Sequence, residues 1–203
     1  MSRRKIQKSA VSAPFEQALA DLVLWLDQIS GRGLVIGGVA ASLLGRPRLT
    51  QDIDLLVLID ESQWKEFLKV GLRFGFEPRI SDALAFARKN RVLLMRHTKS
   101  GLDIDVSFGS LPFEEEALKR SSKVRVGDMS IPLPTPEDLI VMKAVAHRPK
   151  DLMDIEAILE ANPKLDRKRV LKWVKAFAEA VEMPEILNDL EKLMKKSKKT
   201  KHF

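Results

Sequence analysis

The sequence predicts an α+β fold: a β-sheet domain with an N-terminal helix over residues 1–133, then a C-terminal helical bundle over residues 134–203. Two observations and a boundary predict it. Up to Leu133, short runs rich in Ile, Leu and Val alternate with glycine-bearing and polar turns, the pattern of a sheet with flanking helices. Beyond Pro134 apolar residues recur at helical spacing. Between the two lies Thr135-Pro136-Glu137-Asp138, a helix start with threonine as N-cap, proline at the first helical position and acids in the first turn.

The elements follow in order. Phe15, Leu19, Leu22, Val23 and Leu26 predict an amphipathic helix over 14–30, ended by Gly31 and Gly33. Leu34-Val35-Ile36, Gly37-Gly38 and the run from Val39 to Leu44 read as strand, tight turn and short helix. Arg46–Gln51 is a loop, and Asp52–Ile59 a buried central strand. Trp64, Phe67, Leu68 and Leu72 predict a helix over 61–74 that packs on a sheet, with Asp60 as N-cap and Gly75 as its stop. Val92–Arg96 and Leu102–Phe108 form a hairpin through Thr98–Gly101, and Lys123–Pro132 a second around Gly127-Asp128. Helices are expected near 136–147, 151–161, 166–181 and 184–196, with breaks at Asn162-Pro163 and Met183-Pro184.

Composition narrows the chemistry. A chain of 203 residues that is 45% hydrophobic and 31% charged can bury an ordinary core. Cysteine is absent, which excludes disulfides and thiolate metal sites, and three histidines do not suit an imidazole-rich zinc site. No apolar run follows Arg3, Arg4, Lys5 and Lys8, so neither a signal peptide nor a membrane span is expected, and a soluble cytoplasmic protein is. The net charge of +7 comes from the ends: four Lys/Arg in residues 1–10 and six in 192–203, with no acid in either, leaving the body net acidic. Basic tails alone do not establish nucleic-acid binding.

The chemistry points to carboxylates. In a strand Asp52 and Asp54 share a face, while Ile53, Leu55 and Val57 enter the opposite layer. Two adjacent like charges call for a cation, and hard oxygen donors favour Mg²⁺ or Mn²⁺. The plain alternative is a pair of solvated acids neutralised by Arg46 or Arg48. Leu102-Asp103-Ile104-Asp105-Val106 repeats the alternation, so a third acid can converge on the first two. Asp105 is expected to be that third ligand, since it lies further into the apolar run, with Asp103 the alternative. Three such acids suit in-line phosphoryl transfer with two metal ions. Gly37-Gly38 before a helix lets a phosphate approach backbone N–H groups, with thirteen residues between Gly38 and Asp52.

Together, Val35-Ile-Gly-Gly-Val-Ala-Ala-Ser42 and Gly45-Arg-Pro-Arg-Leu-Thr-Gln-Asp-Ile-Asp-Leu-Leu-Val57 resemble the signature of the DNA polymerase beta nucleotidyltransferase superfamily, and within it the AbiEii-like toxin nucleotidyltransferases. The resemblance extends from about Leu34 to Leu159. It implies a small mixed sheet with three catalytic carboxylates, a phosphate-binding glycine turn and a helical domain behind it. It also implies that Lys143 contacts the nucleotide triphosphate and that Asp151 orients the triphosphate or a basic neighbour. Gly38 departs from the pattern, since many members have serine there. Backbone donors must then suffice, with Ser42 or Arg48 to help, and Arg48 and Thr50 are well placed for phosphate oxygens.

The function so expected is Mg²⁺-dependent transfer of a nucleoside monophosphate from an NTP, such as ATP, to an acceptor hydroxyl. Asp52, Asp54 and Asp105 are the catalytic and metal residues. Gly37, Gly38, Arg48, Thr50, Lys143 and Asp151 are the nucleotide-binding residues. The acceptor is an RNA such as tRNA, a protein side chain or an aminoglycoside-type small molecule. Toxin-like relatives imply a cognate antitoxin. The rivals are a nucleotide- or RNA-binding module without turnover and a structural partner protein. Trp64, Phe67, Phe74, Phe76, Trp173 and Phe177 read as core, and His147 as a helix-terminal cation.

Overall fold

The structure, a computed structural model, describes residues 13–28 and 32–199. The basic run from Arg3 to Lys8, the expected helix stop at Gly31, and Lys201 and His202 of the basic tail lie outside the described residues. The chain forms two compact units: one runs to Val39 and resumes over Leu49–Leu133, and the other comprises Ala40–Arg48 and the chain from Pro134.

The first unit is built on a five-stranded mixed sheet: β1 (Gly33–Ile36), β2 (Asp52–Val57), β3 (Phe76–Pro78), β4 (Val92–His97) and β5 (Asp103–Phe108), in the order β1-β2-β5-β4-β3. β2 and β5 run parallel and every other pair is antiparallel. A parallel pair needs a long crossover, and the chain between β2 and β5 supplies it as α3 (Trp64–Arg73), β3, α4 (Ala83–Asn90) and β4. The expected hairpin of β4 and β5 is closed by His97 N–H to Leu102 O and Gly101 N–H to His97 O, both at 2.8 Å. β6 (Ser122–Val126) and β7 (Met129–Leu133) form the second hairpin as a separate two-stranded sheet. β3, α4 and α5 (Pro112–Arg120) are absent from the sequence reading. β3 is too short to show alternation, and the apolar pattern of α4 rests on small residues, Ala83 and Ala87.

Aromatic packing joins α1 (Ala13–Asp27) and α3 to this sheet. Trp25 stacks on Phe67 with ring centroids 4.4 Å apart and on Phe76 at 5.0 Å, and its indole N–H donates to Phe67 O at 3.1 Å. Trp64 stacks on Phe108 at 4.0 Å. Burying one such side chain stabilises the fold by about 1.5–3 kcal/mol. Trp25 also explains a glycine in mid-helix: a Cβ at Gly71 would stand 2.6 Å from the indole. The buried face of α3 is therefore Trp64, Phe67, Val70 and Gly71, and Leu72, expected inside, is 46% exposed. Buried His97 links β4 to α1, its ring 3.1 Å from Asp21 Oδ2 and 2.8 Å from Ser100 Oγ.

The second unit packs α6 (Pro136–Ala146) against α7 (Pro149–Ala161), α8 (Arg167–Ala180) and α9 (Pro184–Lys199). The predicted start of α6 is present, with Thr135 Oγ1 accepting from Asp138 N–H at 3.2 Å. His147 closes α6 in the left-handed region at φ 49°, its ring 3.3 Å from Asp189. α9 runs three residues past its expected end at 196, and Lys196 pairs with Glu156 at 2.6 Å, so part of the basic stretch is helical and neutralised. Ala40–Arg48, which the sequence reading counts with the sheet, is tied to these helices by Asn162 Nδ2 to Leu44 O at 2.7 Å and by an Arg46–Glu160 ion pair. Among the described residues, no helix is long and apolar enough to cross a membrane.

Candidate active site

β2 begins with acids on one face because its alternation buries Ile53 and Leu55 on the other and leaves Asp52 and Asp54 partly exposed. β5 repeats this with Asp103 and Asp105 around buried Ile104 and Val106. The parallel register sets Asp52 beside Asp103 and Asp54 beside Asp105, so one face of adjacent strands carries four carboxylates.

The two acids of β5 differ in their surroundings. The hairpin register places Arg96 opposite Asp103, with Arg96 Nε donating to Asp103 Oδ1 at 2.7 Å. Arg79, just after β3, donates through Nη1 to Asp103 Oδ2 at 2.9 Å and through Nη2 to Asp105 Oδ1. Asp103 thus has two guanidinium partners, and the Arg96 hydrogen bond holds its carboxyl below the usual range. Asp105 shares one. Burial pushes its proton affinity up, Arg79 opposes the rise, and the charges of Asp52 and Asp103 add to it.

Gly37 opens α2 (Gly37–Leu44) at φ +62°, and its neighbour Ile36 pairs with Asp54 across β1 and β2. A Cβ at Gly37 would overlap the Asp54 carboxylate, so only glycine lets the turn lie against that group. Gly38 follows, buried, within the helix. Thr50 is partly exposed in the irregular segment that leads into β2.

The donor set on this face is all carboxylate oxygen, which fits a hard divalent cation. The acids are not closed around one point as they stand: among the described residues no three carboxylate or imidazole groups are arranged to hold one ion. Arg79 already engages Asp105.

The remaining expected nucleotide-binding residues lie in the second unit. Lys143 is 4% exposed, and its ammonium stands 2.9 Å from Asp151 Oδ1 and 2.8 Å from Asp154 Oδ2. Arg48 grips Asp154 with two hydrogen bonds, Nε to Oδ1 at 2.8 Å and Nη2 to Oδ2 at 2.9 Å. Arg148 Nε donates to Asp151 Oδ2 at 2.6 Å. Burial pushes both carboxyls up, but hydrogen bonds to Arg148 and Lys143 for Asp151, and to Arg48 and Lys143 for Asp154, leave each below the usual range. Ser42, expected to help hold phosphate, has its hydroxyl donating to Arg48 O at 3.0 Å and accepting from Arg48 N–H at 3.4 Å.

The sequence reading missed Arg79, Arg96 and Asp154 as partners in these clusters. Arg96 was recoverable, since it faces Asp103 in a hairpin whose connection was correctly placed. Asp154 lies three residues after Asp151, on the same side of α7, and helical spacing would have found it. Arg79 carried no signal, because β3 itself was not visible.

The sequence profile described as "Nucleotidyl transferase AbiEii toxin, Type IV TA system" matches residues 34–202. No curated protein sequence matches the chain. Among solved structures, the antibiotic-resistance factor ANT(2'')-Ia is similar at a TM-score of 0.58 and 15% identity, over 84% of this chain and 95% of that one. An antigenic nucleotidyltransferase-like protein from Paracoccidioides brasiliensis is similar at 0.51 and 15% identity, over 89% and 94%. The lincosamide antibiotic adenylyltransferase LnuA, lincomycin-bound, is similar at 0.51 and 15% identity, over 74% and 98%. These likenesses show the nucleotidyltransferase fold, and the profile match over most of the sequence shows that the chain belongs to the AbiEii toxin family of nucleotidyltransferases.

Proposed function

We propose that the chain transfers a nucleoside monophosphate from an NTP to an acceptor hydroxyl and releases pyrophosphate. The observation that carries this reading is the register that sets Asp54 beside Asp105, with the Gly37 turn lying against the Asp54 carboxylate. Asp52, Asp54 and Asp105 would hold Mg²⁺ or Mn²⁺, which when bound neutralises triphosphate charge and polarises the reacting phosphoryl group. Asp105, its proton affinity raised by burial and its acidic neighbours, is suited to accept the proton of the attacking hydroxyl. Backbone N–H groups at Gly37 and Gly38, with Thr50, would receive phosphate oxygens in the first unit. Arg48, Lys143 and Asp151 are the proposed triphosphate residues of the second unit. A phosphate there would compete with Asp151 and Asp154 for cations already paired.

An RNA acceptor is the favoured reading. On α8, Lys168, Lys172 and Lys175 lie at i, i+4 and i+7 on one exposed face, opposite buried Val170, Val174 and Ala178. Like charges at that spacing disfavour each other and suit a polyanion. A family tied to toxin–antitoxin systems also supports a cognate antitoxin partner, and NTP use supports action in the cytoplasm. A small-molecule acceptor is the second reading, favoured by the likeness to ANT(2'')-Ia and LnuA.

Incubation of the purified protein with each labelled NTP, Mg²⁺ and total RNA tests the main reading. Labelled RNA is expected with wild type, and Asp54→Asn should lower the rate by about 10³-fold or more while the protein stays folded. Undiminished transfer by Asp54→Asn would sink the assignment. Mg²⁺-independent NTP binding without turnover would instead select a binding module. For the RNA surface, Lys168→Ala/Lys172→Ala/Lys175→Ala should shift the slope of log affinity against log salt by about two, and an unchanged slope removes α8 from RNA contact.

A further inference from the structure

We propose that Arg79 is a built-in counter-ion, which holds the Asp105 carboxylate when no divalent cation is present and is displaced when one binds. Arg79 would therefore set the cation affinity of the acidic face. The inference rests on the metal site of the proposed function and adds to it a residue with no counterpart in the sequence signature.

Four observations support it. First, Arg79 is anchored by its backbone, since its N–H donates to Leu94 O at 3.0 Å and continues the pairing of β3 with β4. The side chain can then leave without disturbing the sheet. Second, the guanidinium spans the two acids of β5, Nη1 on Asp103 and Nη2 on Asp105, so it occupies a carboxylate oxygen that a cation would need. Third, Arg79 Nε is buried and has no hydrogen-bond partner. The bound position therefore leaves one donor unsatisfied, a cost that release into water removes. Fourth, the partners are unequal. Asp103 keeps Arg96 at 2.7 Å when Arg79 departs, whereas Asp105 has no other ion-pair partner among the described residues. Release thus leaves a single uncompensated carboxylate, and it stands beside Asp54 and next to the Asp52–Asp103 pair.

Displacement differs from simple repulsion by a nearby positive charge. Repulsion alone would leave the Arg79–Asp105 contact in place when the cation binds, whereas displacement breaks it. Displacement singles out Arg79, the one of the two that contacts Asp105.

The experiment is a titration of the full chain with Mn²⁺, read by the electron paramagnetic resonance of the free ion. Wild type, Arg79→Gln, Arg96→Gln and Asp54→Asn are compared, with circular dichroism to check folding. Arg79→Gln is expected to bind Mn²⁺ about tenfold more tightly than wild type, the scale of one charge-assisted hydrogen bond. Arg96→Gln should change affinity much less, and Asp54→Asn should weaken it. Equal effects of the two arginine substitutions, or none from Arg79→Gln, overturn the proposal while leaving the metal site in place. Absence of Mn²⁺ binding in wild type overturns the metal site and the proposal with it. Should Arg79→Gln fail to fold, the wild-type protein supplies the test. Mg²⁺ should shift the side-chain ¹⁵N resonances of Arg79 more than those of Arg96, and unmoved Arg79 resonances at saturating Mg²⁺ refute displacement.

Discussion

The buried carboxylates of the helical unit and Asp105 of the sheet unit meet opposite treatment. Asp138, Asp151 and Asp154 are 0–5% exposed, and each is gripped by at least one cation, Arg169 for Asp138, Lys143 and Arg148 for Asp151, Lys143 and Arg48 for Asp154. On the sheet, Asp103 is matched in this way by Arg79 and Arg96, while its neighbour Asp105 shares a single guanidinium. Paired and buried acids hold a structure together, because separating them would leave charge without solvent or partner. The proposed chemistry draws on an acid whose compensation is incomplete, and Asp105 is one.

Three changes probe that contrast, from the largest expected effect to the smallest. Lys143→Met leaves Asp151 and Asp154 without their shared ammonium and should destabilise the protein by about 3–5 kcal/mol, measured by urea unfolding. A loss below 1 kcal/mol would show that the two arginines suffice. Gly37→Ala forces a side chain into the Asp54 carboxylate at a positive φ and should cost about 1–2 kcal/mol. It should also depress nucleotidyl transfer far more than so small a loss of stability explains, and transfer at the wild-type rate would separate the turn from the site. The third change concerns pH. Asp151 and Asp154 have folded-state proton affinities below those of the unfolded chain, so the unfolded state binds more protons. Their contribution is present above the ordinary carboxylate range near pH 4 and is lost as the pH falls through their lowered folded values. Asp154→Asn should flatten the acid limb of a stability–pH curve by a fraction of its slope, and an unaltered limb would refute that account.

Much of this was legible in the sequence, for reasons that differ from element to element. Alternation exposed β2 and β5 because their apolar residues are large and their polar ones charged, and the same pattern marked Asp52, Asp54, Asp103 and Asp105. α6 announced itself through Thr135 and Pro136, whose preferences act locally. β3 has three residues and gains its place through pairing with β4 and the stacking of Phe76 on Trp25, so nothing local marks it or the arginine that follows. The surroundings of Lys143 were hidden for a related reason. Its partner Asp151 stands eight residues away, on a second helix beyond the turn at His147, and only tertiary packing brings the two together.

The aromatic packing has a spectroscopic consequence. The chain contains three tryptophans and no tyrosine, so under excitation that phenylalanine does not absorb its intrinsic ultraviolet emission comes from indole alone. Trp25 and Trp64 lie stacked in the sheet unit, and Trp173 lies on α8 of the helical unit, beside Phe177. Substituting Trp173 with phenylalanine leaves an emitter confined to the sheet, and substituting the other two leaves one confined to the helices. Fluorescence from this pair of variants would report whether the two units melt together or apart, without any attached dye.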